Sequence, residues 1–124
     1  MTPITTEQAP AAIGPYSQAI VANAMVYCSG QIPINPASGN IESEDIAAQT
    51  TQVLSNLRAV LTAAGSGLDK VVKTTIFLTD LNDFQIVNSI YAEAFGTHKP
   101  ARSTVQVVRL PRAAKIEIEA IATL

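Results

Sequence analysis

The sequence predicts an α+β fold, a mixed β-sheet with two helices packed on one of its faces. Three observations predict it. Short β-branched runs and two segments of helical period follow one another in the order β-β-α-β-α-β-β. The 124 residues give room for one domain, taken as residues 1–124, that buries about two-thirds of its unfolded surface. Apolar residues make up 48% and charged residues only 15%, which excludes a disordered chain.

Each element has its own signal. Gln18–Val21 and Met25–Ser29 read as two strands around a turn at Asn23, with Gly30 ending the second run. An additional edge strand at the N-terminus is allowed. Ile34–Asn40 is dense in turn formers and reads as a loop. The period then changes. Ile46, Thr50, Val53, Leu54, Leu57, Val60, Leu61 and Ala64 trace one face of a helix of about five turns. Ser43 or a neighbour suits its cap, Glu44 and Asp45 suit its positive end, and Gly65 suits its stop. Val71–Leu78 is the clearest strand. Asn82 with Gln85 fits a capping box for a second helix, whose inner face is Phe84, Val87, Asn88, Tyr91, Ala94 and Phe95, ending near Gly96. Ser103–Val108 and Lys115–Ala122 alternate as two further strands, expected to form a hairpin through Leu110–Ala114. No third helix is left to cover the second sheet face, so that face is expected to pack against other copies of the chain.

Charge and composition narrow the function classes. The net charge of -2 argues against a dedicated nucleic-acid binder. One stretch departs from it: Lys99, Arg102, Arg109, Arg112 and Lys115 follow one another with no carboxylate between. It reads as a solvated or ligand-facing stretch, with RNA contact as the alternative. A single cysteine, Cys28, and a single histidine, His98, allow neither an intrachain disulfide nor a Cys/His zinc cluster. The first seven residues lack signal-peptide features, and no apolar run approaches the ~18 residues of a membrane span. A soluble, cytoplasmic, metal-free protein is expected.

A few residues could carry chemistry. Arg102 opens a strand after Pro100-Ala101. It reads either as a surface arginine or as a bidentate carboxylate anchor. Glu117 and Glu119 alternate with Ile116, Ile118 and Ala120, so both leave the core face. They are either charges on a wet strand face or interface carboxyls with raised pKa, usable as acid or base. Ser29-Gly30 follows a strand, and the Gly30 N–H could hold a ligand oxygen. No Gly-x-Ser-x-Gly elbow surrounds Ser29, so it is not read as a hydrolase nucleophile. Cys28 reads as a buried strand residue and His98 as a helix-end cation or loop residue. Tyr16, after Gly14-Pro15, is open between packing and ligand contact.

Four segments together resemble a known family. They are Gly14-Pro15-Tyr16-Ser17-Gln18-Ala19, Ser29-Gly30-Gln31-Ile32-Pro33, Val72–Leu78 with Leu81–Phe84, and Pro100-Ala101-Arg102-Ser103 with Leu110-Pro111 and Ile116–Ala120. In this order and spacing they resemble the RidA (YjgF) family of reactive intermediate deaminases, over residues 7 to 122. The resemblance implies a chorismate-mutase-like fold and a homotrimer with three inter-subunit clefts. It implies hydrolysis of 2-enamino and 2-imino acids, such as 2-aminoacrylate and 2-iminobutanoate, to 2-oxo acids and ammonia, with no cofactor. Pyridoxal-phosphate-dependent dehydratases would release these substrates. Carried over by motif, Arg102 would bind the substrate carboxylate and Glu117 would handle water or a proton. Tyr16, Ser29, Gly30, Asn88 and Thr104 would complete the cleft. Thr104 departs from the Arg-Ser-Cys of many members, keeping a hydrogen-bonding group but removing the thiol. Two other readings stand beside the deaminase: a non-catalytic ligand-binding regulator on the same cleft, and an RNA-directed ribonuclease or translation inhibitor.

Overall fold

The computed structural model describes residues 1–124. Its elements are β1 (Thr2–Ile4), β2 (Ala19–Ala22), β3 (Met25–Gln31), β4 (Ile34–Asn35), β5 (Asn40–Ile41), α1 (Ile46–Ala63), β6 (Val71–Leu78), α2 (Phe84–Phe95), β7 (Ala101–Gln106) and β8 (Ile116–Thr123). Six strands form one mixed sheet in the order β1-β2-β3-β8-β6-β7. β4 and β5 pair only with each other, so the segment expected to be a loop contains a small hairpin. The allowed N-terminal edge strand is present as β1, paired with β2.

The expected final hairpin is not formed. β7 pairs with β6 in parallel, because α2 carries the chain back over the sheet between them. β8 then inserts between β3 and β6, antiparallel to both. Its inner residues Ile116, Ile118, Ala120 and Ala122 are all buried, as suits a central strand. The connection turns through a 3₁₀ segment, Pro111–Ala113, in which Arg112 and Ala113 take φ of 60° and 56°. The link between Gln106 and Ile116 is long enough to step across β6, a distance of about 10 Å.

Both helices cover the same sheet face. Leu57, Val60 and Leu61 of α1 and Val87, Tyr91 and Phe95 of α2 share one core with Val26, Ile76 and Ile118. Cys28 lies in that core, and burial pushes its thiol up to about 12. Asp45 caps α1 by accepting from Ala48 N–H, while Ser43 accepts from Asp45 N–H one turn before. Gly65 follows the helix at φ 85°, as a left-handed stop requires. The Asn82–Gln85 capping box is absent. Asp80 instead caps a 3₁₀ turn, Leu81–Asp83, that leads into α2.

Three buried amides tie the loops to this frame. Gln18 accepts from Thr6 N–H and donates to the carbonyls of Thr6 and Pro10. Asn56 donates to Ile32 and Ile34, and Gln49 bonds Ser43 and Lys115. Each satisfies backbone groups that no strand pairs. No helix is long and apolar enough to cross a membrane.

The second sheet face has no helix on it. Ile20, Tyr27 and Ile121 stand in one row across β2, β3 and β8, and Phe77 and Val105 stand side by side on β6 and β7. Tyr27 is 48% exposed and Val105 42% exposed. Glu117 pairs with Phe77 on this same face, as the strand alternation predicts.

Candidate active site

The residues singled out in the sequence fall into two groups, on opposite faces of the sheet. The first group is on the helix face of β7. Arg102 stands beside Thr74, whose side chain is buried under α2. Its Nη1 donates to Asn88 Oδ1 at 2.8 Å, and its Cζ lies 4.9 Å from the Tyr91 ring centre and 5.5 Å from that of Phe84. A cavity of about 390 Å³ opens on this guanidinium, with Asn88, Tyr91, His98 and Lys99 in its wall. His98 sits in the loop after α2, where its Nε2 lies 2.6 Å from the Val71 carbonyl. Thr104, two residues along β7 on the same side as Arg102, has a buried hydroxyl with no hydrogen-bond partner. Buried hydroxyls are nearly always paired, so this one stands out as an unsatisfied group beside Arg102.

The second group gathers at a β-bulge. Between the pairs Cys28–Ala120 and Gln31–Ile118, β3 has one residue more than β8, and Ser29 and Gly30 form the bulge. Ser29 Oγ donates to the Ser17 carbonyl at 2.6 Å, so its hydrogen is committed and only its lone pairs are free. Gly30 meets the Glu117 side chain. A Cβ at position 30 would overlap Glu117 Oε2 and stand 2.8 Å from Cδ, so a larger residue there displaces the Glu117 carboxyl from its present place. Burial, with a smaller contribution from the charge of Glu119, pushes the Glu117 pKa up. On its other side Gly30 lines a cavity of about 260 Å³ with Tyr16, Ile32 and Pro111. Tyr16 projects from the turn at Gly14, whose φ of 123° excludes most other residues.

Arg102 and Glu117 are not on adjoining strands, as the expected hairpin would have placed them. β6 lies between them, and the register offsets them by three residues. Two strand spacings across and three residues along separate their Cα atoms by about 14 Å. Their side chains then leave opposite faces of the sheet, so no small ligand touches both within one chain. The basic run is dispersed too. Lys99 and Arg102 lie at the start of β7, while Arg109, Arg112 and Lys115 lie past its end, about 20 Å on.

Tyr91 and Phe84 belong to the Arg102 environment although the sequence reading placed them in the core alone. Phe84, Asn88 and Tyr91 recur at i, i+4 and i+7, which stacks them on one helix stripe. That stripe was visible. The arginine lying along it was not, because it depends on α2 folding back over β7.

The family described as Endoribonuclease L-PSP matches residues 6–124. A RutC family protein of Pyrococcus horikoshii is 56% identical over 96% of this chain and 94% of its own length. The 2-iminobutanoate/2-iminopropanoate deaminase of Escherichia coli K12 is 52% identical over 96% of this chain and 94% of its own. A crystal structure of E. coli TdcF with bound serine superposes with a TM-score of 0.95 at 45% identity, covering 100% of this chain and 99% of that one. A match this complete, at this identity, extends over both groups of site residues and the strands that carry them, and the chain belongs to the RidA family, the family whose sequence description is Endoribonuclease L-PSP.

Proposed function

We propose that the protein hydrolyses reactive 2-enamino and 2-imino acids, 2-aminoacrylate and 2-iminobutanoate among them, to 2-oxo acids and ammonia. The cleft is built between copies of the chain in a homotrimer. Arg102 with Asn88 and Thr104 comes from one copy, and Glu117 with Gly30, Ser29 and Tyr16 from the next. The observation that carries this reading is the opposed placement of the two groups, in a chain 52% identical to a deaminase of such imines. The uncovered apolar sheet face supports self-association, since surfaces of this kind are buried in obligate assemblies.

The chemistry follows from the two groups. The Arg102 fork takes the substrate carboxylate through paired N–H donors and draws charge from the adjacent C2. A water attacks C2 of the iminium as Glu117 accepts its proton, giving a carbinolamine. Glu117 returns that proton to nitrogen and, again a carboxylate, takes the carbinol O–H proton as the C–N bond breaks; the 2-oxo acid and ammonia leave, and the proton passes from Glu117 to ammonia or solvent. One group therefore serves as base and then as acid, which a carboxyl raised toward neutrality does better than an ordinary one. The reaction proceeds slowly in water, so positioning and proton transfer of about 10²–10⁴-fold suffice. The substrates arise by β-elimination from hydroxy amino acids, the reaction of pyridoxal-phosphate-dependent dehydratases.

The test couples the protein to a serine or threonine dehydratase, with semicarbazide trapping the imine that escapes. The wild type suppresses semicarbazone formation, and Arg102→Ala of the same oligomer size does not. Equal trapping with either protein, or with none, overturns the reading.

A further inference from the structure

We propose that Asn88 and Tyr91 are positioning residues for Arg102: a neutral clamp that fixes the guanidinium while leaving its charge uncompensated for the incoming carboxylate. The inference deepens the reading above and rests on it, in that Arg102 is the carboxylate anchor.

The clamp is built from α2. The Asn88 amide takes one of the five guanidinium N–H groups, at 2.8 Å. Arginine has no acceptor, so the amide oxygen is the atom that faces it. The Tyr91 ring lies 4.9 Å from Cζ, within range of a cation–π contact, and Phe84 adds a second ring at 5.5 Å. Tyr91 is itself held. Its hydroxyl lies 2.7 Å from Thr74 Oγ1 in the core, and its ring stands 4.5 Å from that of Phe95. Thr74 is also the β6 neighbour of Arg102. The ring that supports the arginine is thus pinned from the strand beside it.

What matters is the chemistry of the partners. Buried or half-buried arginines are ordinarily matched by a carboxylate. Here the hydrogen-bond partner is an amide and the stacking partners are rings, none of them anionic. Burial raises the Tyr91 phenol, which keeps it neutral. A carboxylate in place of the amide would satisfy the fork internally and compete with the ligand. Neutral partners fix the side chain and leave both its charge and its remaining donors to the cavity. An arginine held this way loses little rotamer freedom when its ligand binds.

The experiment is calorimetric titration of the assembled protein with 2-oxobutanoate, a carboxylate product, beside steady-state imine hydrolysis. The clamp predicts that Asn88→Asp weakens 2-oxobutanoate at least ~10-fold, and more than Asn88→Ala does, through KM with kcat little changed. A merely structural Asn88 predicts the reverse order, because aspartate is its isostere and alanine is not. Tyr91→Phe keeps the ring but loses its hold on Thr74, so it binds between the wild type and Tyr91→Leu, which binds at least ~3-fold more weakly than the wild type; Tyr91→Leu binding as well as Tyr91→Phe refutes the ring's part in the clamp. This second pair decides if the position 88 variants fail to assemble. Should Arg102→Ala lose 2-oxobutanoate while Asn88→Asp binds as well as Asn88→Ala or better, the clamp is refuted and the anchor stands. Should Arg102→Ala bind 2-oxobutanoate as the wild type does, the anchor falls and the clamp with it.

Discussion

Consider two inactive chains, Arg102→Ala and Glu117→Gln, unfolded together in equal amounts and refolded. The two groups lie about 14 Å apart at the backbone and on opposite sheet faces, so the proposed cleft would draw its arginine from one copy and its glutamate from another. In a closed ring of randomly mixed copies, half of the arginine donors and half of the glutamate donors are intact, independently. Roughly a quarter of the clefts then hold both, and activity returns to roughly a quarter of the wild-type level per cleft. Were both groups supplied by the same chain, no mixed cleft would be complete and nothing would return. A second mixture sharpens the count. Wild type mixed equally with the Arg102→Ala, Glu117→Gln double variant leaves roughly a quarter of clefts active if two copies contribute, and roughly half if one does. The semicarbazide assay reads the activity, and native mass spectrometry of differently tagged chains confirms the mixing. Mixed oligomers with no recovered activity would refute the shared cleft.

Other consequences concern the bulge, its glutamate and one turn. Gly30→Ala puts a methyl where the Glu117 carboxyl now lies, so kcat should fall at least ~10-fold with the oligomer intact; unchanged turnover would show that the carboxyl is free to move without cost. Glu117 has a folded pKa above its unfolded one, so its contribution to stability is full below pH ~4.3 and is lost as pH rises through the folded value. Glu117→Gln should therefore melt above the wild type at pH 7, with the gap closing on acidification; a gap constant with pH refutes the assignment. Asn23 and Ala24 turn β2 into β3 with φ of 51° and 59°, a conformation that suits glycine at the second position. Ala24→Gly should stabilise by about 0.5–1 kcal/mol in thermal or denaturant unfolding, and a loss of stability would contradict the turn geometry.

Most of the fold was legible because it rests on local period. β6 was read at its observed bounds from its β-branched run, and α1 and α2 were read from their apolar stripes. The uncovered sheet face was legible as well, since with both helices on one face no third helix is left for the other. Strand order was not. Adjacency in sequence suggested a hairpin for β7 and β8, whereas the return path through α2 makes β7 a parallel neighbour of β6 and leaves the centre to β8, whose inner residues are all buried. The start of α2 was misread for a related reason. Asp80 and Asn82 are both good caps, and which one acts depends on a 3₁₀ turn that spacing alone does not reveal.

The candidate site shows why that one error of order matters. With β7 and β8 as a hairpin, Arg102 and Glu117 would be neighbours, and one chain could bind a ligand between them. With β6 between them, each group is well made and incomplete: a charged fork on neutral supports at one edge, and a raised carboxyl packed on a glycine bulge further in. The sheet is one residue thick, so a residue's face is decided by its parity along the strand. Arg102 falls on the parity of Thr74, and Glu117 on that of Phe77. The same parity that buries Ile116 and Ile118 under α1 sends Glu117 to the face where a second copy would pack. The position of the carboxyl is thus a by-product of packing the core, and a cleft between copies is where such a carboxyl and an edge-strand arginine can meet.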